Sequence, residues 1–161
     1  MKIPKSKLSK NSLKERAIVV TGAGSGIGRA LSFELAKNNA DLILLSRDQI
    51  KLDSLQDEIK EKFGIEPLTV EFDFFKAKEK DYNFLIENLI DNYTKIDGLV
   101  HVAGILGYLS PFTSTSPSQL ETVMKINFES NFLLTKALMP LLEKSECPSC
   151  LLYTSDAADE C

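Results

Sequence analysis

Thr21-Gly22-Ala23-Gly24-Ser25-Gly26-Ile27-Gly28 places four glycines on alternate positions between an apolar run, Arg16 to Val20, and a stretch in which Ile27, Ala30, Leu31 and Leu35 recur at helical spacing. Few chains tolerate so much glycine at one joint. A strand that turns at once into a helix through such a bend leaves the backbone open to close approach by a ligand. It also aims the free N–H groups and partial positive charge of the helix start at whatever lies in front, and a diphosphate suits that environment. The G-x-G-x-x-G spelling is absent, since Ile27 or Arg29 stands where its third glycine would fall. No Lys-Ser or Lys-Thr pair closes a phosphate loop of the Walker kind. Taken alone, the turn is equally compatible with a plain strand–helix corner.

The rest of the chain repeats the same rhythm. Asp41 to Ser46 carries Leu42, Ile43, Leu44 and Leu45 without a polar break, as a strand covered on both faces requires. Asp48 is placed to cap a helix with the stripe Leu52, Leu55, Ile59 and Phe63, which Gly64 stops. Leu68 to Phe72 predicts a third strand. Tyr82, Leu85, Ile86, Leu89, Ile90 and Tyr93 predict a third helix, and Gly98 to Val102 a fourth strand. One long helix is expected from about Pro117 to Lys144, with Pro140 bending or ending it. Alternating strands and helices predict an α/β fold, a doubly wound parallel sheet of Rossmann-like type. Ligands of such sheets bind beyond the carboxyl ends of the strands.

Composition narrows the classes. With 43% hydrophobic and 26% charged residues the chain is globular rather than disordered, and no apolar run approaches the roughly 20 residues of a membrane span. The formal charge of -4 supplies no field for nucleic acid; Lys2, Lys5, Lys7, Lys10, Lys14 and Arg16 crowd the first sixteen positions, and residues 1–15 read as a solvated basic leader. That leader has no secretory apolar stretch, and a cytoplasmic location is expected, with neither nucleic acid nor membrane as partner. Cys147, Cys150 and Cys161 form no disulfide framework. The C-x-x-C of Cys147 and Cys150 lacks further ligands, so no metal site is expected.

The spelling T-G-x-x-x-G-x-G resembles the cofactor turn of the short-chain dehydrogenase/reductase family, and the likeness runs from about Arg16 to Leu142. It is carried further by Asp73-Phe74 after the third strand and by Val102-Ala103-Gly104 where the family writes Asn-Ala-Gly. Asn127 within Lys125-Ile126-Asn127-Phe128, and the run Phe132 to Pro140, complete it. The resemblance implies an oxidoreductase passing hydride between a nicotinamide cofactor and a small-molecule alcohol or carbonyl substrate. It implies that Gly22, Gly24, Gly26 and Gly28 with Ser25 and Ile27 form the phosphate turn, and that Val102, Ala103 and Gly104 admit the adenosine ribose. Asp73, beside Phe74, would accept from the adenine amine; the alternative is an exposed strand-end carboxylate. Val102 departs from the pattern, and loss of the asparagine that ties neighbouring strands is expected to loosen that loop. Asn127 would act in catalysis by holding a water of the proton relay. Its alternative is an amide that bonds backbone and kinks the helix.

Charge favours NADP over NAD as cofactor, because Ser46 and Arg47 end the second strand where NAD-binding relatives place an acid; Asp48 counts the other way. The family's catalytic Tyr-x-x-x-Lys is not spelled anywhere. Tyr82, Tyr93, Tyr108 and Tyr153 are followed four residues later by Ile86, Asp97, Phe112 and Ala157. The run from Cys150 to Glu160 back-translates to a transposon-type sequencing adapter, so residues 150–161 are expected to be a foreign tail, with Ser155 not catalytic. Residues 1–149 would then be an incomplete nucleotide-binding domain, a C-terminally truncated fragment inactive as it stands, against about 250 residues for whole relatives. Its fourth strand would be an open apolar edge, giving poor solubility. The whole protein is expected to be a homo-oligomer. A non-catalytic NADP-sensing protein and a general nucleotide-phosphate binder stand as alternatives.

Overall fold

The computed structural model describes residues 11–153; the basic leader up to residue 10 and the tail from residue 154, Ser155 included, lie outside the described residues. Five parallel strands form one sheet in the order β3-β2-β1-β4-β5. They are β1 (Ala17–Thr21), β2 (Asp41–Ser46), β3 (Leu68–Glu71), β4 (Gly98–His101) and β5 (Ser149–Leu152). Helices α1 (Gly26–Lys37), α2 (Gln49–Phe63), α3 (Glu79–Ile90), α4 (Pro117–Met124) and α5 (Ser130–Leu142) connect them.

The unbroken apolar strands are explained by two cores, one on each face. In β1 and β2, Ala17, Val19, Ile43 and Leu45 point to the side of α3 and α5, where Tyr82, Leu85, Leu134 and Leu138 are buried. Ile18, Val20, Leu42 and Leu44 point to the other side and meet Leu52, Leu55 and Ile59 of α2. The period of two thus buries all of β1 and Leu42 to Leu45 of β2. Chain order reverses between β1 and β4, so the ends of these two strands open a crevice.

Local signals place several boundaries. The Asp48 side chain accepts from the Lys51 amide at the start of α2, and Gly64 ends that helix in the left-handed region at φ 70°. Three expectations are corrected. The single helix from Pro117 to Lys144 is α4, a π turn over Lys125–Glu129, and α5; Pro140 lies inside α5, which runs two residues past it. The third and fourth strands stop one residue short of Phe72 and Val102. Strand β4 is not an open edge, because β5 pairs with it in parallel register, Leu99 opposite Cys150 and His101 opposite Leu152. The outer edge therefore passes to β5, whose four residues are all exposed. A free parallel edge accepts any extended apolar run, so this pairing reports the vacancy beside β4 as much as the origin of residues 150–152.

Candidate functional site

The carboxyl ends of β1 to β4 surround a cleft of about 440 Å³, within the range of small-molecule sites. Its floor is the turn before α1. Gly22, Ser25, Gly26 and Ile27 line it, whereas Gly24 and Gly28 are buried behind it. Gly26 sits at φ +53°, and a Cβ there would meet nothing within 4 Å, so the backbone at this corner fronts open space. At Gly28 the reason is different: a Cβ would lie 2.8 Å from the Gly22 carbonyl carbon, so α1 packs directly on the turn. Ser25 caps α1 without a side-chain hydrogen bond, and the first turn holds no acidic residue. The N–H groups of that turn and the positive end of α1 are therefore left for an anion.

Strand β2 ends in Ser46 and is followed by Arg47, both in the cleft wall. Asp48 is engaged elsewhere: its Oδ1 accepts from the Lys51 amide at 3.2 Å and its Oδ2 pairs with Lys51 Nζ at 3.2 Å, and the amide bond first of all lowers its carboxyl below the usual range. After β3, Asp73 lines the cleft with Phe74 and Phe75. Asp73 Oδ1 accepts from the Phe75 amide at 3.0 Å, and Oδ2 pairs with Lys76 Nζ at 3.4 Å, so the carboxylate orders its own turn. Phe74 faces inward and packs on Phe72, ring centroids 5.0 Å apart.

Val102, Ala103, Gly104 and Ile105 form the wall after β4. Two ties hold it. The buried Thr21 hydroxyl accepts from the Val102 and Ala103 amides, each at 3.0 Å. Asn127, in the π turn, donates from Nδ2 to the Ile105 carbonyl at 2.8 Å and accepts at Oδ1 from the Ile105 amide at 2.9 Å. The loop that Val102 was expected to loosen is thus pinned from β1 and from the π turn. Thr21 was missed in the sequence, although a hydroxyl ending a buried strand just before the glycines was the available signal. The extra residue of a π turn re-aims the side chains next to it, which places Asn127 against the loop. Tyr153, following β5, closes the cleft.

His101 lies beneath this wall, 2% exposed, with Nε2 2.9 Å from Thr135 Oγ1 and Nδ1 without a hydrogen-bond partner among the described residues. Burial pushes its pKa down to about 4. The unfolded chain, titrating near 6.5, binds the proton first, so stability is complete above that pH and falls as the pH drops toward 4. The expected loss is on the order of 3 kcal/mol. Urea unfolding from pH 7.5 to 4.5 should show it in the unmodified chain and show a flatter profile in His101→Gln.

The geometry is that of a dinucleotide cleft: an anion corner at α1, a hydroxyl and a guanidinium at the end of β2, an aromatic flank after β3, and a close-set wall after β4. The family model described as short chain dehydrogenase matches residues 16–160. The chain belongs to the short chain dehydrogenase family. Its relatives include the uncharacterized oxidoreductase YciK of Escherichia coli K12, 37% identical over 145 residues, which cover 90% of this chain and 57% of YciK. A very-long-chain 3-oxoacyl-CoA reductase of Phaeosphaeria nodorum is 33% identical, over 86% of this chain and 41% of the reductase. The chain thus spans about half the length of the curated relatives it matches. A short chain dehydrogenase from Escherichia coli CFT073 complexed with NADPH superposes with a TM-score of 0.85 at 36% identity, covering 88% of this chain and 59% of that one. One from Shigella flexneri complexed with NADP gives 0.86 at 36%, with the same coverage. Among the described residues no helix is long and apolar enough to cross a membrane, and no group of three metal-binding side chains occurs.

Proposed function

We propose that this short chain dehydrogenase uses NADP(H) and that the whole protein oxidises an alcohol or reduces a carbonyl. The observation that carries the choice of cofactor is the corner at the end of β2. Ser46 and Arg47 line the cleft there, while the carboxylate of the next residue, Asp48, is held by Lys51. A 2′-phosphate would meet a guanidinium and a hydroxyl instead of the acid that repels it. The complexes of the two solved relatives, with NADPH and with NADP, support this reading.

When bound, the nicotinamide supplies or accepts the hydride. This chain's part is to hold the diphosphate on the first turn of α1 and to keep the loop after β4 in place through Thr21 and Asn127. Asn127 would steady a proton relay through that loop. The names of its relatives, oxidoreductase and reductase, go with turnover rather than with a sensor. The exposed stripe of Leu120, Met124, Phe128 and Phe132 along α4 to α5 offers a face for the expected homo-oligomer.

Arg47→Glu should weaken NADPH binding about 10- to 100-fold, the worth of one or two charge-assisted bonds, and leave NADH within about twofold. Calorimetric titration of the unmodified chain and Arg47→Glu with both cofactors decides it. Equal affinity of the unmodified chain for NADPH and NADH would contradict the NADP assignment.

A further inference from the structure

The stretch from Val102 to Leu120 holds 19 residues and not one Asp, Glu, Lys, Arg or His, in a chain of which 26% of residues are charged. Ile105 lines the cleft, and the next four large side chains, Leu106, Tyr108, Leu109 and Phe112, are 70–94% exposed. This loop is held in shape. Asn127 bonds Ile105 at both its amide and its carbonyl. Gly107 sits at φ +77°, and a Cβ there would lie 2.8 Å from Val123 Cγ2, so the backbone rests on α4. Farther on, the Ser114 amide donates to the Pro111 carbonyl at 2.8 Å, and Ser110 Oγ lies 3.1 Å from Thr115 Oγ1. Fixed at both ends, the loop turns four large apolar or aromatic side chains to water, an arrangement that marks a surface made to be covered.

The cleft is divided in the same sense. Its charged side chains, Arg47 and Asp73, stand just past the ends of β2 and β3, whereas Ala103, Gly104, Ile105, Ile126 and Tyr153 form the end at β4 and β5 without a charge. Ile105 joins that end to the loop, so the uncharged stretch begins inside the cleft and continues out of it. A carboxylate, phosphate or ammonium laid there would lose water and find no opposite charge on the stretch. A hydrocarbon chain gains up to about fourfold in affinity for each methylene covered.

We propose that the substrate is an alcohol or carbonyl compound with an uncharged hydrocarbon tail, which leaves the cleft past Ile105 and lies on Leu106, Tyr108, Leu109 and Phe112. This rests on the reading of the cleft as an NADP(H) site for alcohol and carbonyl chemistry. The same loop selects against sugars and against compounds charged at the far end.

Ligand-detected NMR titration of the full chain, saturated with oxidised NADP so that no ketone is reduced, tests this with three probes. They are 2-pentanone, 2-octanone and 7-oxooctanoate, which is 2-octanone with a carboxylate in place of its far methyl. 2-Octanone should bind about tenfold or more tightly than 2-pentanone, and 7-oxooctanoate at least about tenfold more weakly than 2-octanone. The double variant Leu106→Ser, Leu109→Ser should bring the octanone-to-pentanone ratio down to about twofold, with bound NADP as the check that it is folded. In a chain that binds NADP, absence of 2-octanone binding, equal affinity for the two ketones, or equal affinity for 2-octanone and 7-oxooctanoate overturns the hydrocarbon tail and leaves the cofactor reading standing. A folded double variant that keeps the full ratio overturns it too, and a change of oligomeric state alone in that variant assigns the loop to contact between copies. If the double variant fails to fold, the two ratios of the unmodified chain decide. No NADP binding by the unmodified chain removes the cofactor reading first and this inference with it.

Discussion

Replacing Asp97 with alanine lowers the unfolding free energy by about 2–3 kcal/mol, since the Ser145 hydroxyl and the Ala17 amide lose their buried acceptor while Arg16 and Lys95 keep contact with solvent. The side chain is 3% exposed, at the opposite end of β4 from the cleft. Its Oδ1 accepts from Ser145 Oγ at 2.7 Å, Arg16 Nη1 at 2.8 Å and Lys95 Nζ at 3.0 Å, and its Oδ2 accepts from the Ala17 amide at 3.1 Å. One carboxylate thus joins the entry to β1, the entry to β4 and the turn after α5. Burial works to raise its pKa, but the bonds from Ser145, Arg16, Lys95 and the Ala17 amide outweigh it and hold the carboxyl well below the usual range. With the folded value below the unfolded one, the contribution is complete above about pH 4 and is lost as the pH falls toward the folded value. Urea unfolding at pH 7 and pH 3 should therefore show a wide gap between the unmodified chain and Asp97→Ala that narrows in acid. A gap under about 1 kcal/mol at pH 7 would mean that the network contributes no more than an exposed pair.

The other large effect lies at the glycine turn, where two substitutions of the same size should separate stability from binding. Gly28→Ala would place a Cβ 2.8 Å from the Gly22 carbonyl carbon and 3.2 Å from Ala23 Cα. Both are backbone atoms, so α1 must shift from the turn, at about 1–3 kcal/mol for overpacking. That shift removes the diphosphate corner, and NADPH binding should fall at least 100-fold, roughly the value of two charge-assisted bonds. Gly26→Ala meets no atom within 4 Å; its cost is the left-handed φ of +53°, about 1–2 kcal/mol. Its new methyl fronts the open cleft, so NADPH affinity should again drop sharply while the melting temperature falls less than in Gly28→Ala. Thermal melts with calorimetric titrations check both. Retained NADPH affinity in both variants would show that the turn does not hold the cofactor.

Much of the frame was legible because its causes are local. Unbroken apolar runs marked β1 and β2, and Asp48 and Gly64 marked both ends of α2, since caps and burial act within a few residues. The glycine turn and the residues after β3 and β4 were legible as one site because a parallel sheet brings the ends of its strands together. What escaped depends on partners far along the chain. The helical periodicity around Asn127 runs straight through the π turn, whose extra residue the side-chain pattern does not reveal. Thr21 bonds residues 81 and 82 positions away, and Asp97 bonds Ala17 across 80. The pairing of β5 depends on the free edge of β4 rather than on Ser149 to Leu152 themselves.

The central claim is that the backbone of residues 22–28 and the first turn of α1 bind the diphosphate of NADP(H). The most direct measurement is calorimetric titration of the purified chain with NADPH, with ATP as a competing polyphosphate. Saturable binding of one NADPH per chain, weakened at least tenfold in Gly26→Ala and far less sensitive to ATP, is the expected result. Absence of any binding heat in a folded sample, or equal affinity for NADPH and ATP, would contradict it.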